Sequence, residues 1–147
     1  MNEPPILLVE DNDDDAELTS MAFGAANIVN PVVRVRDGVE ALDYLMRRGE
    51  YASLEREDLP IVVLLDLKLP RISGLQVLKE IRSNPKTACL PVVILSSSDE
   101  HQDRLGAYHN HANSYVRKPV DYDRFVRASR DLGLYWTVTN LPAPEPM

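Results

Sequence analysis

Five short apolar runs punctuate the chain: Ile6–Val9, Pro31–Val35, Ile61–Leu65, Val92–Leu95 and Tyr115–Val116. Ile61–Leu65 and Val92–Leu95 are apolar at every position. A strand with one wet face alternates, whereas a strand covered on both faces need not. The runs therefore read as strands of a parallel sheet buried between helices. Segments of helical length separate them, with apolar residues about three and four apart. Asp13–Ala26 offers Leu18, Met21, Ala22 and Ala25 as its inner face, and Asp37–Arg48 offers Val39, Leu42, Leu45 and Met46. Ser73–Arg82 offers Leu75, Val77, Leu78 and Ile81, and Asp99–His109 offers Leu105 and Tyr108. Asp121–Trp136 offers Phe125, Ala128, Leu132, Tyr135 and Trp136. Asp13, Ser73 and Ser98 read as capping residues at helix starts. Strand and helix alternate throughout, which implies an α/β fold with helices on both faces of an open sheet. Gly49–Pro60 reads as a polar surface loop, and the Pro-rich stretch from Leu141 to Met147 as an extended end.

The length, 147 residues, suits one domain with a real core. Its 16 Lys+Arg against 23 Asp+Glu give a net charge of −7. That balance disfavours a nucleic-acid binder, which needs clustered cations, and a polybasic membrane anchor. The single cysteine, Cys89, excludes an internal disulfide framework and a Cys-based zinc site, and reads as an inert thiol at a helix end or in a loop. No basic n-region precedes Ile6–Val9, and no apolar run approaches membrane-spanning length. A reducing cytoplasm is the expected setting.

Ligands of open α/β sheets bind beyond the carboxyl ends of the strands. Glu10 and Asp11 follow the first strand here, Asp66 the third, Ser96 the fourth and Lys118 the fifth. Three converging carboxylates repel one another and demand a cation. Hard oxygen donors without His or Cys favour Mg²⁺, which also accepts phosphate oxygens. A carboxylate can itself attack a phosphoryl group. The metal, an ammonium and a hydroxyl then stabilise the transferred oxygens. The set makes sense as a phosphoryl-transfer site.

With these residues in place, the chain resembles the receiver domains of two-component response regulators. The resemblance rests on Val9-Glu10-Asp11-Asn12, on Leu65-Asp66-Leu67-Lys68-Leu69-Pro70 with Gly74 beyond, on Leu95-Ser96-Ser97 and on Tyr115-Val116-Arg117-Lys118-Pro119. It implies a flavodoxin-like, doubly wound five-stranded parallel sheet in the order 2-1-3-4-5. It makes Asp66 the phosphoacceptor, and it has Asp11, Asp66 and the Lys68 backbone carbonyl bind Mg²⁺. Glu10 stands at a second acidic position, where Asp is commoner, and supports the metal. Lys118 pairs with the phosphoryl group, Ser96 binds one of its oxygens, and Tyr115 is the aromatic switch that turns inward as Ser96 moves. Ser98 and the Lys68 side chain flank the phosphoryl group. The resemblance also implies a cis peptide before Pro119.

Simpler readings compete at several positions. Asp13, Asp14 and Asp15 read as the N-cap and first turn of a helix. His101, His109 and His111 do not share a helix face and make no metal site. Among rival functions, a carboxylate-nucleophile phosphatase needs a second acid where Lys68 stands. A flavin carrier needs a neutral phosphate loop where this chain is acidic.

The expected division is a receiver over residues 1–136 and an extended tail over 137–147. That leaves no room for an output domain, so the expected role is a stand-alone regulator that a histidine kinase phosphorylates and that acts by protein contact. The alternative is a phosphotransfer intermediate or phosphate sink with no output partner. Leu132, Tyr135, Trp136 and Val138 form an expected homodimer surface, with Thr137–Thr139 extended; the alternative is that this stretch folds back on its own domain. The long loop after the second helix and the Tyr-Trp ending resemble single-domain regulators paired with bacterial phytochrome kinases.

Overall fold

The inner strands are apolar on both faces because they divide their side chains between two separate cores. A computed structural model describes residues 3–53, 59–98, 100–118 and 121–144. The strands are β1 (Ile6–Val9), β2 (Val32–Val35), β3 (Val62–Leu65), β4 (Val92–Ser96) and β5 (Ser114–Arg117). They form one sheet in the order β2-β1-β3-β4-β5, with every neighbouring pair parallel. The helices are α1 (Asp13–Ala25), α2 (Gly38–Met46), α3 (Gly74–Ser83), α4 (His101–His109) and α5 (Tyr122–Leu134).

Leu7 and Val9 of β1, Val63 and Leu65 of β3, and Val92 and Ile94 of β4 pack towards Leu42, Leu45, Val77, Leu78, Ile81 and Ala107 of α2, α3 and α4. The alternate residues Ile6, Leu8, Val62, Leu64 and Val93 pack towards Ala16 and Phe23 of α1 and towards Trp136. The period-two alternation is present, but both phases are apolar, as a sheet between two helical layers requires. Most helix starts are capped by side chains. Asn12 Oδ1 accepts the Asp15 amide at 2.9 Å, Asp37 Oδ1 the Glu40 amide at 2.8 Å, and Asp121 Oδ1 the Arg124 amide at 3.1 Å. Ser73 caps α3 as expected, accepting the Gln76 amide at 3.2 Å.

The helix faces differ from the periodic reading at three places. In α1 the buried residues are Ala16, Thr19, Ala22 and Phe23, while Met21 and Ala25 are exposed. Thr19 can sit inside because its hydroxyl donates to the Asp15 carbonyl at 2.8 Å, which removes the cost of burying it. The cap of α1 is Asn12, one residue before the expected Asp13. In α4 the inner residue is the small Ala107, and Leu105 and Tyr108 lie exposed. That helix begins at His101, so Ser98 is not its cap.

The third difference is at the end of α5. Thr137–Thr139 is not extended: Tyr135–Thr139 forms a π-helical turn continuous with α5. The wider turn brings Trp136 inward, where it is 9% exposed and joins the core of β1 and β3. Trp136 is therefore a packing residue of its own domain and not a free contact surface. Tyr135 stands edge-on to it, with ring centroids 4.9 Å apart. Gly133 makes the approach of α5 to α1 possible, since a Cβ there would lie 2.7 Å from Phe23 Cε1 and 2.5 Å from Ile28 Cδ1.

The loop after α2 starts with a 3₁₀ turn, Gly49–Tyr51, tied to α2 by the Tyr51 hydroxyl, which donates to Glu40 Oε2 at 2.8 Å. Cys89 lies exposed between α3 and β4. The peptide before Pro119 lies outside the described residues. No helix among the described residues is long and apolar enough to cross a membrane.

Candidate phosphoryl-transfer site

The strand order reverses between β1 and β3, and their register aligns Val9 with Leu65. Glu10 and Asp66, each one residue further on, therefore emerge side by side at the carboxyl edge of the sheet. The backbone holds them there. The Asp66 amide donates to the Val9 carbonyl at 3.2 Å, and the Glu10 amide to the Val35 carbonyl at 3.0 Å. Ser96 is paired with Arg117, so Lys118 follows directly, its amide donating to the Ser96 carbonyl at 2.7 Å.

The Lys118 side chain spans the site. Its ammonium donates to Glu10 Oε1 at 2.6 Å, to Asp15 Oδ2 at 2.9 Å and to Asp66 Oδ2 at 3.1 Å. Glu10, Asp66 and Lys118 are all buried at the residue level, which an unpaired charge would not tolerate. Burial works against the Lys118 charge. The hydrogen bonds to Glu10 and Asp15, with the charges of Glu10 and Asp66, outweigh it and hold the amine above the usual lysine range. One ammonium cannot neutralise all its carboxylates. Burial pushes the Glu10 carboxyl up to about 7, with the Asp66 charge adding to the push and Lys118 opposing it.

Carboxylate oxygens of Glu10, Asp11 and Asp66 lie within 4.8 Å of one another, and this is the metal-capable cluster among the described residues. Three hard oxygen donors, with Asp11 open to solvent, match a Mg²⁺ ion that keeps waters and shares a phosphate oxygen. Lys68 enters through its amide, which donates to Asp66 Oδ1 at 3.2 Å. Both oxygens of Asp66 are thereby oriented. Beneath them Gly74 opens α3: a Cβ at that position would lie 2.1 Å from the Asp66 carbonyl oxygen.

Ser96 and Tyr115 meet through Ser98. Ser96 is fully buried, and its Oγ accepts the Ser98 amide at 3.3 Å. The half-buried Tyr115 donates its hydroxyl to the Ser98 carbonyl at 2.6 Å. Burial pushes that phenol up, with its bond to Ser98 opposing. The Ser98 hydroxyl donates to Asp103 of α4 and accepts the Glu100 amide at 3.3 Å. Ser98 thus links the end of β4 to α4 and β5.

Two residues of the site escape the strand-end reading. Asp15, read as part of a solvated first turn, reaches Lys118. It lies in the first turn of α1, only four residues after Asp11 just beyond the end of β1, and that nearness in the chain was the available signal. Arg34 sits on edge strand β2, where nothing in the pattern marks it. Its Nε and Nη2 donate to the Glu10 carbonyl at 3.0 and 2.9 Å, and Nη1 pairs with Asp13 at 2.8 Å.

Comparison with known proteins identifies the family and its fold. The model of the response regulator receiver domain matches residues 6–130. The chain belongs to that family, whose members are phosphoacceptor signalling proteins. Among its relatives, the response regulator Rcp1 of Synechocystis is 34% identical over 145 residues, 97% of each chain. A crystal structure of Rcp1 in its Mn²⁺-bound form superposes with a TM-score of 0.89 over 97% of this chain and 100% of that one. The phosphorylated cyanobacterial phytochrome response regulator RcpA is 37% identical, with a TM-score of 0.89 over 97% and 99% of the two chains. The bacteriophytochrome response regulator RtBRR is 47% identical, with a TM-score of 0.76 over 98% and 86%. The chain is thus a receiver related to the phytochrome response regulators, with a flavodoxin-like fold.

Proposed function

We propose that a histidine kinase phosphorylates this receiver on Asp66 in a Mg²⁺-dependent reaction, and that the phosphorylated form changes its protein contacts. The observation that carries the reading is the Lys118 ammonium donating at once to Glu10 Oε1 and Asp66 Oδ2, beside Asp11. An Asp66 oxygen attacks phosphorus, the new O–P bond forms, and the bond to the donor's leaving group breaks. Asp11, Asp66 and the Lys68 carbonyl, with Glu10 in support, would hold Mg²⁺, which would neutralise charge on the phosphoryl oxygens. Lys118 takes up a second oxygen and the Ser96 hydroxyl a third. The displacement of Ser96 passes to Tyr115 and α4 through Ser98, which touches all three.

The partner is a histidine kinase of the bacterial phytochrome class in the cytoplasm. Support comes from the likeness to RcpA, Rcp1 and RtBRR at near-full coverage of this chain. A homodimer through the end of α5 is part of the proposal. Tyr135 is 48%, Val138 73% and Leu141 90% exposed, an apolar strip beside the partly buried Leu132.

The test is labelling by acetyl phosphate with Mg²⁺, read by intact mass. Wild type gains one phosphoryl group and Asp66→Asn gains none. Labelling retained by Asp66→Asn overturns the assignment.

A further inference from the structure

An ammonium has three N–H donors, and Lys118 spends them on three carboxylates. A phosphoryl oxygen that is to pair with Lys118 must therefore displace one of them. The three are not equivalent. Glu10 makes the shortest bond, 2.6 Å, and its side chain is 3% exposed, so releasing it would strand a buried carboxylate. Asp66 carries the transferred group, and its side chain is 10% exposed. The Asp15 side chain is 29% exposed and sits in the first turn of α1, where water can solvate the released carboxylate. The carboxylate's backbone surroundings do not depend on it. The Asp15 amide is satisfied by the Asn12 cap, and its carbonyl by the Thr19 hydroxyl.

We infer that Asp15 is a positioning residue, the exchangeable partner of Lys118, whose departure frees the ammonium for the phosphoryl group. This rests on the phosphoacceptor role proposed for Asp66. In the unphosphorylated protein Asp15 holds the ammonium partly away from Asp66 and so favours Mg²⁺ entry. During phosphoryl transfer it competes with the incoming oxygens. Two opposite effects follow from removing it. Lys118, left with Glu10 and Asp66 alone, grips them harder and opposes Mg²⁺. Once Mg²⁺ is saturating, Lys118 is freer to meet the phosphoryl group.

The experiment compares Asp15→Asn with Asp14→Asn, which removes the same charge from an exposed neighbouring position. Mg²⁺ affinity is read by isothermal titration and needs no phosphoryl chemistry. We expect Asp15→Asn to weaken it at least threefold more than Asp14→Asn, and the difference to vanish when both are placed on Lys118→Ala. Initial labelling by acetyl phosphate at saturating Mg²⁺ is expected to rise at least threefold in Asp15→Asn and to change less than twofold in Asp14→Asn. Equal Mg²⁺ affinities in the two variants, a difference that survives Lys118→Ala, or slower labelling of Asp15→Asn would each overturn the inference. Unlabelled wild type would instead defeat the phosphoacceptor assignment, and the Mg²⁺ comparison would still decide the role of Asp15.

Discussion

Arg34 grips the main-chain carbonyl of Glu10 with two donors, Nε at 3.0 Å and Nη2 at 2.9 Å. The contact runs from an edge strand to the loop that carries Glu10 and Asp11, and it fixes where those carboxylates leave the sheet. A charged fork on one carbonyl is worth about 1.5–3 kcal/mol in a partly buried setting. Arg34→Ala is expected to lower stability by about 1.5 kcal/mol in urea unfolding and to weaken Mg²⁺ binding several-fold. Lysine cannot reproduce the fork, so Arg34→Lys should recover less than half of the stability. Full recovery by lysine would reduce the contact to simple charge.

Gly74 and Gly24 are expected to respond oppositely to the same substitution. A Cβ at Gly74 would meet the Asp66 carbonyl oxygen at 2.1 Å and Leu67 Cα at 2.7 Å, both backbone atoms. A Cβ at Gly24 meets nothing within 4 Å. Gly74→Ala should cost about 3 kcal/mol through displaced backbone and should slow labelling of Asp66. Gly24→Ala, in the last turn of α1, should raise stability by about 0.5 kcal/mol. Thermal melts of the two variants check the pair, and a stable Gly74→Ala would mean that α3 can withdraw from the site.

Trp136 and Val138 separate folding from association. Trp136 is buried among Ile6, Leu8 and Phe23, so Trp136→Ala should cost about 3 kcal/mol in urea. Val138 is 73% exposed, and Val138→Asp should alter stability by less than about 0.5 kcal/mol. If the end of α5 forms the proposed dimer, light scattering of Val138→Asp will show the monomer mass. An unchanged dimer mass would move the interface elsewhere.

Lys118→Ala leaves Glu10, Asp15 and Asp66 without their shared cation. Breaking a buried charge cluster on one side costs about 3 kcal/mol, and the loss should be largest in EDTA. Millimolar Mg²⁺ should recover much of it, since a ligand that binds only the folded state stabilises by mass action. Mg²⁺ affinity should stay intact or tighten, because the competing ammonium is gone. Labelling of Asp66 should no longer alter the surroundings of Tyr115, as read by its NMR resonances. Weaker Mg²⁺ binding by Lys118→Ala would contradict the role given to the lysine.

The strand runs were legible because burial on both faces leaves an unmistakable signature in Ile61–Leu65 and Val92–Leu95. The strand-end residues Glu10, Asp11 and Asp66 were legible for the converse reason, being carboxylates placed where an apolar run stops. The inner faces of α1 and α4 were not. Thr19 and Ala107 hide from a hydrophobic pattern, one because a backbone bond satisfies its hydroxyl and the other because it is small. The π-helical turn that turns Trp136 inward was invisible as well, since β-branched Thr137, Val138 and Thr139 favour extended backbone when considered alone.

Local sequence, through hydrophobic period and strand-end chemistry, determined the α/β class, the five strands and a carboxylate-rich edge suited to a hard cation. Which carboxylate shares Lys118 is a matter of distance between β1, α1, β3 and the end of β5. β3 and the end of β5 are far in the chain from β1 and α1, and no local pattern sets their separation. Only the assembled sheet decided that Asp15, a first-turn residue by sequence, lies 2.9 Å from the ammonium, and that Arg34 reaches back to Glu10. Register and helix packing are collective results of burying two cores at once, so contacts made across them are fixed by the whole fold.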